Sequence, residues 1–287
     1  MEGEGRLDVP GGRVWYRRLG AGDATPLLML HGGPGAGSDY IAPLGEALAA
    51  DRPVVFWDQL GCGRSDAPDD TSLWTLDRFV AEVDAVRDAL GLDRIHLFGQ
   101  SWGGWLAIEY MTRGTTGVGR LVLASTSAST REFTDAARLL IEALPEPHRT
   151  VLVEGGARGA YDTPAYAAAM MEFYRRHLCR MDPWPAALQA SIANLDGNAV
   201  YAYMNGPTEF DVIGTLTTWD RTADLGRIDV PTLITVGRHD EIPPSCAETL
   251  RAGIPGARVV VLERSGHISH LEEPETYLRA VREFLDG

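Results

Sequence analysis

The sequence predicts an α/β fold in which a mostly parallel central sheet is flanked by helices and carries an inserted helical cap. Short apolar runs, typical of strands buried on both faces, alternate with stretches of helical period up to residue 126 and again after residue 220. Alternation of this kind indicates parallel strands joined by right-handed crossovers. Residues 127–220 contain no buried strand pattern, so we predict a core of residues 1–126 and 221–287 with a cap of residues 127–220 between them.

Seven stretches of the core have strand patterns. They are residues 14–19, 26–30, 53–57, 95–98, 121–124, 231–236 and 258–262. The first alternates between apolar and polar residues, which predicts an outer strand, whereas the others are largely apolar. Helical spacing of apolar residues predicts the intervening helices. These are residues 40–49, 76–90, 105–111, 246–252 and 273–285 in the core, and 132–144, 164–176 and 186–194 in the cap.

A Gly-x-Ser-x-Gly sequence at residues 99–103 joins a predicted strand to a predicted helix. Such a joint forces a turn so sharp that glycine is needed on both sides, and it leaves the serine hydroxyl bare at the end of the strand. Ser101 is therefore the candidate nucleophile. Ser65 lies in a second glycine-rich loop, residues 58–66, but no strand-to-helix joint surrounds it, and we interpret that loop as scaffold.

A serine hydroxyl needs a histidine base, which in turn needs a carboxylate to fix its tautomer and stabilise its charged form. In α/β-hydrolases these residues occur in the chain order Ser, Asp, His. Ser101, Asp240 and His267 have this order, and each directly follows a predicted strand, so they are expected at one edge of the sheet. The weaker candidates are His270 as a reserve base, the histidines at positions 31, 96, 148, 177 and 239, and the acids Asp224 and Asp229, which precede their strand.

Two backbone donors must stabilise the oxyanion that forms when serine attacks a carbonyl group. The N–H of Trp102, directly after the nucleophile, is the first candidate. The glycine-rich loop 31–35 ends a buried strand and can bring a second N–H close to a ligand, which makes Gly33 the other candidate. The sequence contains no phosphate loop, dinucleotide fingerprint or metal-ligand cluster, so the predicted chemistry needs no cofactor and no metal.

Composition narrows the classes of partner. The formal net charge is −14, and all 26 basic residues are arginine. Such an acidic chain argues against nucleic acid and anionic membranes as partners.

No apolar run approaches the roughly 18 residues of a membrane span, and the first residues lack the pattern of a secretory signal, so a cytoplasmic location is expected. Three widely spaced cysteines, Cys62, Cys179 and Cys246, are expected to be reduced thiols.

Four segments together resemble the proline iminopeptidases, and in particular the branch of the tricorn-interacting aminopeptidases. They are residues 31–35 (HGGPG), 58–65 (DQLGCGRS), 99–104 (GQSWGG) and 204–210 (MNGPTEF). The resemblance extends over nearly the whole chain, although residues 136–195 of the cap match less well. It implies an α/β-hydrolase that removes an N-terminal residue, typically proline, with Glu209 and Glu241 holding the free amine of the substrate.

The leading hypothesis is a serine aminopeptidase or amino acid amidase that acts through an acyl-enzyme. Its substrates would be short peptides or amino acid amides with a free α-amine and an N-terminal proline or another small or apolar residue. An esterase, lactonase or cofactor-free perhydrolase on the same scaffold is the alternative, because a fold does not fix a function. A non-catalytic accessory or receptor protein is a third possibility. The sequence leaves open the preferred N-terminal residue, the leaving group and the oligomeric state.

Overall fold

A computed structural model describes residues 2–287, which form one eight-stranded sheet in the order β1-β2-β4-β3-β5-β6-β7-β8. The strands are β1 (Gly3–Val9), β2 (Gly12–Leu19), β3 (Leu27–Leu30), β4 (Val54–Trp57), β5 (Ile95–Gln100), β6 (Val118–Ala124), β7 (Thr232–Gly237) and β8 (Arg258–Leu262). The strands from β3 to β8 run parallel, while β1 and β2 are antiparallel to their neighbours. The sheet is therefore mostly parallel, as the sequence predicts.

Helices cover both faces of the sheet and form the segment between β6 and β7. They are α1 (Ala42–Leu48), α2 (Leu76–Ala89), α3 (Trp102–Thr112), α4 (Thr130–Glu142), α5 (His148–Arg158), α6 (Pro164–His177), α7 (Ala186–Ala193), α8 (Ala199–Met204), α9 (Pro244–Gly253), α10 (Ser269–Glu272) and α11 (Pro274–Asp286). Across residues 2–287, none of the helices combines the length and the apolar character that crossing a membrane requires.

The central strands are largely apolar because both of their faces are buried. Side chains alternate along a strand, so Leu28 and Leu30 of β3 join one apolar core while Leu27 and Met29 join the other. The first core packs against α2, α3 and α9, and the second packs against α1 and α11. This double burial holds the carboxyl ends of the parallel strands in fixed positions, and the predicted site residues follow those ends.

Residues between β6 and β7 form a helical layer whose two ends meet. Ser129 and Asp220 form an isolated antiparallel bridge. The Thr130 N–H donates to the Trp219 carbonyl group at 3.0 Å, and the Arg221 N–H donates to the Ala128 carbonyl group at 2.9 Å. The division of the chain at residues 127 and 220 remains a prediction, and this pairing of the two ends supports it.

Three details differ from the expectations of the sequence. Residues 14–19 are not an outer strand, because β1 pairs along the outside of β2. The glycines and charges of β1 hid its strand character, although charged residues are common in edge strands. Helices α5 and α8 were not predicted, since α5 contains Gly155 and Gly156 and α8 has only six residues. Helix α1 begins at Ala42, so Tyr40 lies in the loop before it.

Candidate active site

Ser101 lies in the sharp turn between β5 and α3. Its backbone angles are φ 56° and ψ −123°, a conformation that side-chain-bearing residues rarely adopt. The neighbouring glycines make this turn possible. A Cβ atom on Gly99 would lie 2.2 Å from the Gly103 carbonyl oxygen, and one on Gly103 would lie 2.3 Å from the Leu30 carbonyl oxygen. The turn exposes the Ser101 side chain to a cavity at the carboxyl edge of the sheet.

Asp240 and His267 follow β7 and β8 and meet at the same edge. Nδ1 of His267 lies 2.7 Å from Oδ1 of Asp240, so an Nδ1–H donated to the carboxylate fixes the neutral tautomer in which Nε2 can accept a proton. The Ile242 N–H also donates to this Asp240 oxygen, at 2.8 Å. Ser101 and His267 both line the cavity, and no hydrogen bond joins their side chains in the described structure. The histidine and its carboxylate are thus aligned with each other at the cavity that Ser101 also lines.

The reserve base, His270, has a different environment. It is buried, its Nε2 atom lies 2.9 Å from the Tyr40 carbonyl oxygen, and it is not part of the cavity wall. Burial lowers the pKa of His270 to about 4, so it is neutral near pH 7 and serves as a hydrogen-bond donor. Asp224 and Asp229 precede β7 and therefore lie toward the opposite edge of the sheet from Asp240.

Gly33 and Trp102 offer their N–H groups at the same end of the sheet. Trp102 is the first residue of α3, where helix geometry leaves the N–H without an intrahelical acceptor. Gly33 has φ 115°, and a Cβ atom there would lie 2.5 Å from the Gly35 nitrogen. The N–H of the preceding Gly32 already donates to the Tyr40 hydroxyl group, at 2.7 Å. Within residues 2–287, neither the Gly33 nor the Trp102 N–H has a hydrogen-bond acceptor.

Glu209 and Glu241 line the same cavity as Ser101 and His267. Glu209 accepts a hydrogen bond from the Tyr201 hydroxyl group at 2.9 Å. Glu241 is 1% exposed, its Oε1 atom lies 3.6 Å from Nε2 of His267, and its Oε2 atom has no hydrogen-bond partner among the described residues. A buried carboxylate oxygen without a partner is costly, and a cationic ligand would supply what is missing.

The electrostatics of this cluster reflect burial and crowding of like charges. Burial raises the pKa of Glu209, and burial together with the charges of Glu209 and Asp240 raises the pKa of Glu241 well above its usual range. Burial alone would lower the pKa of His267, but the carboxylates of Asp240 and Glu241 outweigh it and raise that pKa to about 9. Each carboxylate of this cluster therefore affects the pKa of its neighbours, and His267 is the group whose charged form the cluster favours.

The cavity has a volume of about 430 Å³ and lies between the carboxyl edge of the sheet and the helical layer that connects β6 to β7. Its wall is largely apolar and aromatic. The layer between β6 and β7 contributes Tyr166, Met170, Tyr174, Leu178, Leu188 and Ile192 to it. Among the described residues that line the cavity, none is an arginine or a lysine. Such a space accommodates a small substrate with an apolar group and a positive charge.

Sequence reasoning missed two polar residues of this site. Tyr201 supports Glu209 through its hydroxyl group, and Tyr40 contacts both Gly32 and Gln100. Neither tyrosine belongs to a recognisable motif, so no sequence signal distinguished it from a packed aromatic residue. In the part of the chain that the structure describes, no group of three or more His, Cys, Asp or Glu side chains is arranged to hold a metal ion.

Comparisons with known proteins agree with this architecture. A family profile described as alpha/beta hydrolase fold matches residues 25–274. The chain is 38% identical to the proline iminopeptidase of Heyndrickxia coagulans, with 100% of both chains covered. It is 37% identical to the proline iminopeptidase of Saccharolobus solfataricus, with 99% of this chain and 92% of the relative covered.

A solved structure gives the same result. The proline iminopeptidase of Mycobacterium smegmatis is similar to this chain with a TM-score of 0.92 and 36% identity, covering 99% of this chain and 98% of that one. The predicted α/β-hydrolase fold and the predicted family are both confirmed by these matches. The chain belongs to the proline iminopeptidase family of α/β-hydrolases.

Proposed function

We propose that this enzyme is a serine aminopeptidase that releases an N-terminal proline from short peptides or prolyl amides. The observation that carries the proposal is the partnerless Oε2 atom of Glu241, buried beside Glu209 in the cavity that Ser101 and His267 also line. Relatives that match nearly the full chain are proline iminopeptidases. A neutral ester would bring no positive charge to the two carboxylates, so the esterase alternative has less support.

The reaction follows from the roles that we assign. Ser101 Oγ gives its proton to Nε2 of His267 and attacks the carbonyl carbon, while Asp240 stabilises the resulting imidazolium. The N–H groups of Gly33 and Trp102 stabilise the oxyanion. His267 then returns the proton to the leaving nitrogen, the C–N bond breaks, and an ester on the serine remains. Water, deprotonated by His267, hydrolyses this ester and frees the amino acid and the serine hydroxyl group.

The two glutamates account for the requirement for a free amine. An N-terminal proline carries a secondary ammonium group with two N–H donors, which matches one carboxylate on each side of the nitrogen. Charge-assisted hydrogen bonds in a partly dry cavity are stronger than neutral ones. The apolar wall from the cap suits the hydrocarbon face of the proline ring. Short peptides and amides are the substrate class that a cavity of about 430 Å³ can hold.

A substrate panel tests this function. We expect N-acetylation of a prolyl arylamide to lower kcat/KM by at least ~10²-fold, because the loss of a buried charge-assisted pair leaves two carboxylates unpaired. Glu209→Gln and Glu241→Gln should each weaken hydrolysis of the free-amine substrate while sparing a small neutral ester. The control is Glu132→Gln, which changes a half-buried carboxylate bonded to Thr249 outside the cavity. Equal cleavage of acetylated and free-amine substrates would favour an esterase.

The pH profile gives an independent check on Glu241. Catalysis needs neutral His267, so the acid limb of kcat/KM reports the pKa of this histidine in the free enzyme. The carboxylates raise that pKa to about 9, and removing one negative charge makes the imidazolium less stable. Glu241→Gln should therefore move the acid limb toward lower pH by roughly one unit, measured with a neutral ester. An unmoved limb, or one moved upward, would contradict the assigned proximity of the two charges.

A further inference from the structure

Tyr40 forms hydrogen bonds with four separate segments of the chain. Its hydroxyl group accepts from the Gly32 N–H at 2.7 Å and donates to Oε1 of Gln100. Its backbone N–H donates to Oγ of Ser191 in cap helix α7 at 3.1 Å, and its carbonyl group accepts from Nε2 of His270 at 2.9 Å. One buried residue thus connects the glycine loop, the nucleophile turn, the cap and the segment after β8.

Gln100 extends these connections to the proposed base. It directly precedes Ser101, and its side-chain Nε2 atom donates to the His267 carbonyl group at 3.4 Å. Gln100 is 1% exposed, so the loss of a protein partner would leave a buried amide atom without its hydrogen bond. The Tyr40 hydroxyl group and the Gln100 amide therefore form a chain of hydrogen bonds from Gly32 to the backbone of His267.

Gly32 is closely packed against Tyr40, Gln100 and Ser101. A Cβ atom on this glycine would lie 2.8 Å from both the Tyr40 hydroxyl oxygen and Oε1 of Gln100, and 3.1 Å from Cβ of Ser101. The Gly32 N–H is held by Tyr40, whereas the next N–H in the loop, that of Gly33, has no acceptor among the described residues. Burial raises the pKa of the Tyr40 hydroxyl group, which therefore stays protonated and remains a donor to Gln100.

We propose that Tyr40 is a positioning residue whose hydroxyl group fixes the Gly33 N–H relative to Ser101, so that the oxyanion forms in a ready-made site. The inference rests on the proposed function in one respect, the role of Ser101 as the acylated nucleophile. Tyr40 does not donate to the oxyanion itself, since its hydroxyl hydrogen is used by Gln100. Its contribution is made before the reaction begins, which is how preorganised donors accelerate acyl transfer.

A role in packing alone predicts a different result for one substitution. The Tyr40 ring packs 5.7 Å from the His270 ring and belongs to the apolar core beneath α1 and α11. Phenylalanine keeps the ring and these contacts but leaves the Gly32 N–H and Oε1 of Gln100 without their partner. If only the packing of the ring matters, Tyr40→Phe should affect the acylation rate no more than the loss of the hydroxyl group from another buried tyrosine does.

The test compares Tyr40→Phe with Tyr110→Phe. Tyr110 is also buried, and its hydroxyl group bonds Asp84 and Arg87 away from the cavity. We expect Tyr40→Phe to lower the acylation rate by about tenfold or more with substrate KM within twofold of the wild type. A prolyl boronate, whose adduct with Ser101 places an oxygen at the oxyanion position, should bind more weakly in parallel. Pyrrolidine, which offers only the cationic amine, should bind unchanged, and Tyr110→Phe should match the wild type in all three measurements.

An acylation rate within twofold of wild type in folded Tyr40→Phe would overturn the proposal, as would an equal loss of boronate and pyrrolidine binding. If Tyr40→Phe does not fold, Gln100→Met tests the same connection. We expect this variant to lower the acylation rate by about tenfold, and an unchanged rate would overturn the proposal. All rates are also measured with p-nitrophenyl acetate. Wild-type protein that hydrolyses this ester but not the prolyl substrate would refute the aminopeptidase function, whereas unchanged ester hydrolysis by the variant would refute the role of Tyr40.

Discussion

Ser101→Ala is expected to lower kcat/KM for a prolyl arylamide on the order of 10⁴-fold or more, because no other group on the chain can form the acyl intermediate at this site. Among residues 2–287, the Ser101 hydroxyl group has no hydrogen-bond partner, and the bond from Thr126 is to the Ser101 backbone carbonyl group, which alanine keeps. Alanine therefore leaves the cavity, the two glutamates and the histidine in place. Binding of pyrrolidine should remain at the wild-type level, and the free energy of unfolding from denaturant titration should change little.

Ser65→Ala is the matched control for this experiment. The Ser65 hydroxyl group accepts from the Trp15 N–H at 2.8 Å and donates to the Asp58 carbonyl group, so it connects its loop to β2. Its removal should cost stability, about 1–3 kcal/mol for the buried groups left unpaired, and should not lower kcat by more than a few-fold. Wild-type-like turnover in Ser101→Ala, or a loss of turnover confined to Ser65→Ala, would show that the wrong serine had been assigned.

The sequence was sufficient for the fold because the central strands are buried on both faces. Residues 26–30 and 95–98 are apolar at every position or nearly so, and this pattern together with the helices between them leaves few other architectures. The placement of Ser101, Asp240 and His267 at one edge of the sheet could be predicted for the same reason, while their catalytic roles stay a prediction. Each follows a parallel strand, and all such strands end at one edge of the sheet.

Contacts between distant side chains could not be predicted in this way. The sequence around Tyr40 shows only a helical pattern, whereas the hydrogen bonds of Tyr40 are to partners 8, 60, 151 and 230 residues away in the chain. Glu241 was found through a resemblance and its position beside Asp240, but its partnerless oxygen depends on how cap and core close over it. Local patterns determine where strands and helices lie, whereas burial and pairing of a single polar atom depend on the complete packing.

His267→Ala should be about as damaging as Ser101→Ala, with kcat/KM lowered on the order of 10⁴-fold, because the serine proton then has no acceptor. Nδ1 of His267 forms a hydrogen bond with Asp240, and the His267 ring lines the same cavity as Ser101. His270, only three residues later, donates to a backbone carbonyl group instead and lies outside the cavity wall. The two histidines thus differ in what their rings can reach, despite their closeness in the chain.

His270→Ala is accordingly the matched comparison for the base. It removes the donor to the Tyr40 carbonyl group, which should cost about 1–3 kcal/mol in the free energy of unfolding. Activity should fall less than tenfold, since the Tyr40 hydroxyl group keeps its bonds to Gly32 and Gln100. Activity of His267→Ala with a p-nitrophenyl ester should also recover in part with added imidazole, which can occupy the space of the missing ring and accept the serine proton. The opposite ranking of the two variants would make His270 the base, and it would require the segment after β8 to rearrange before catalysis.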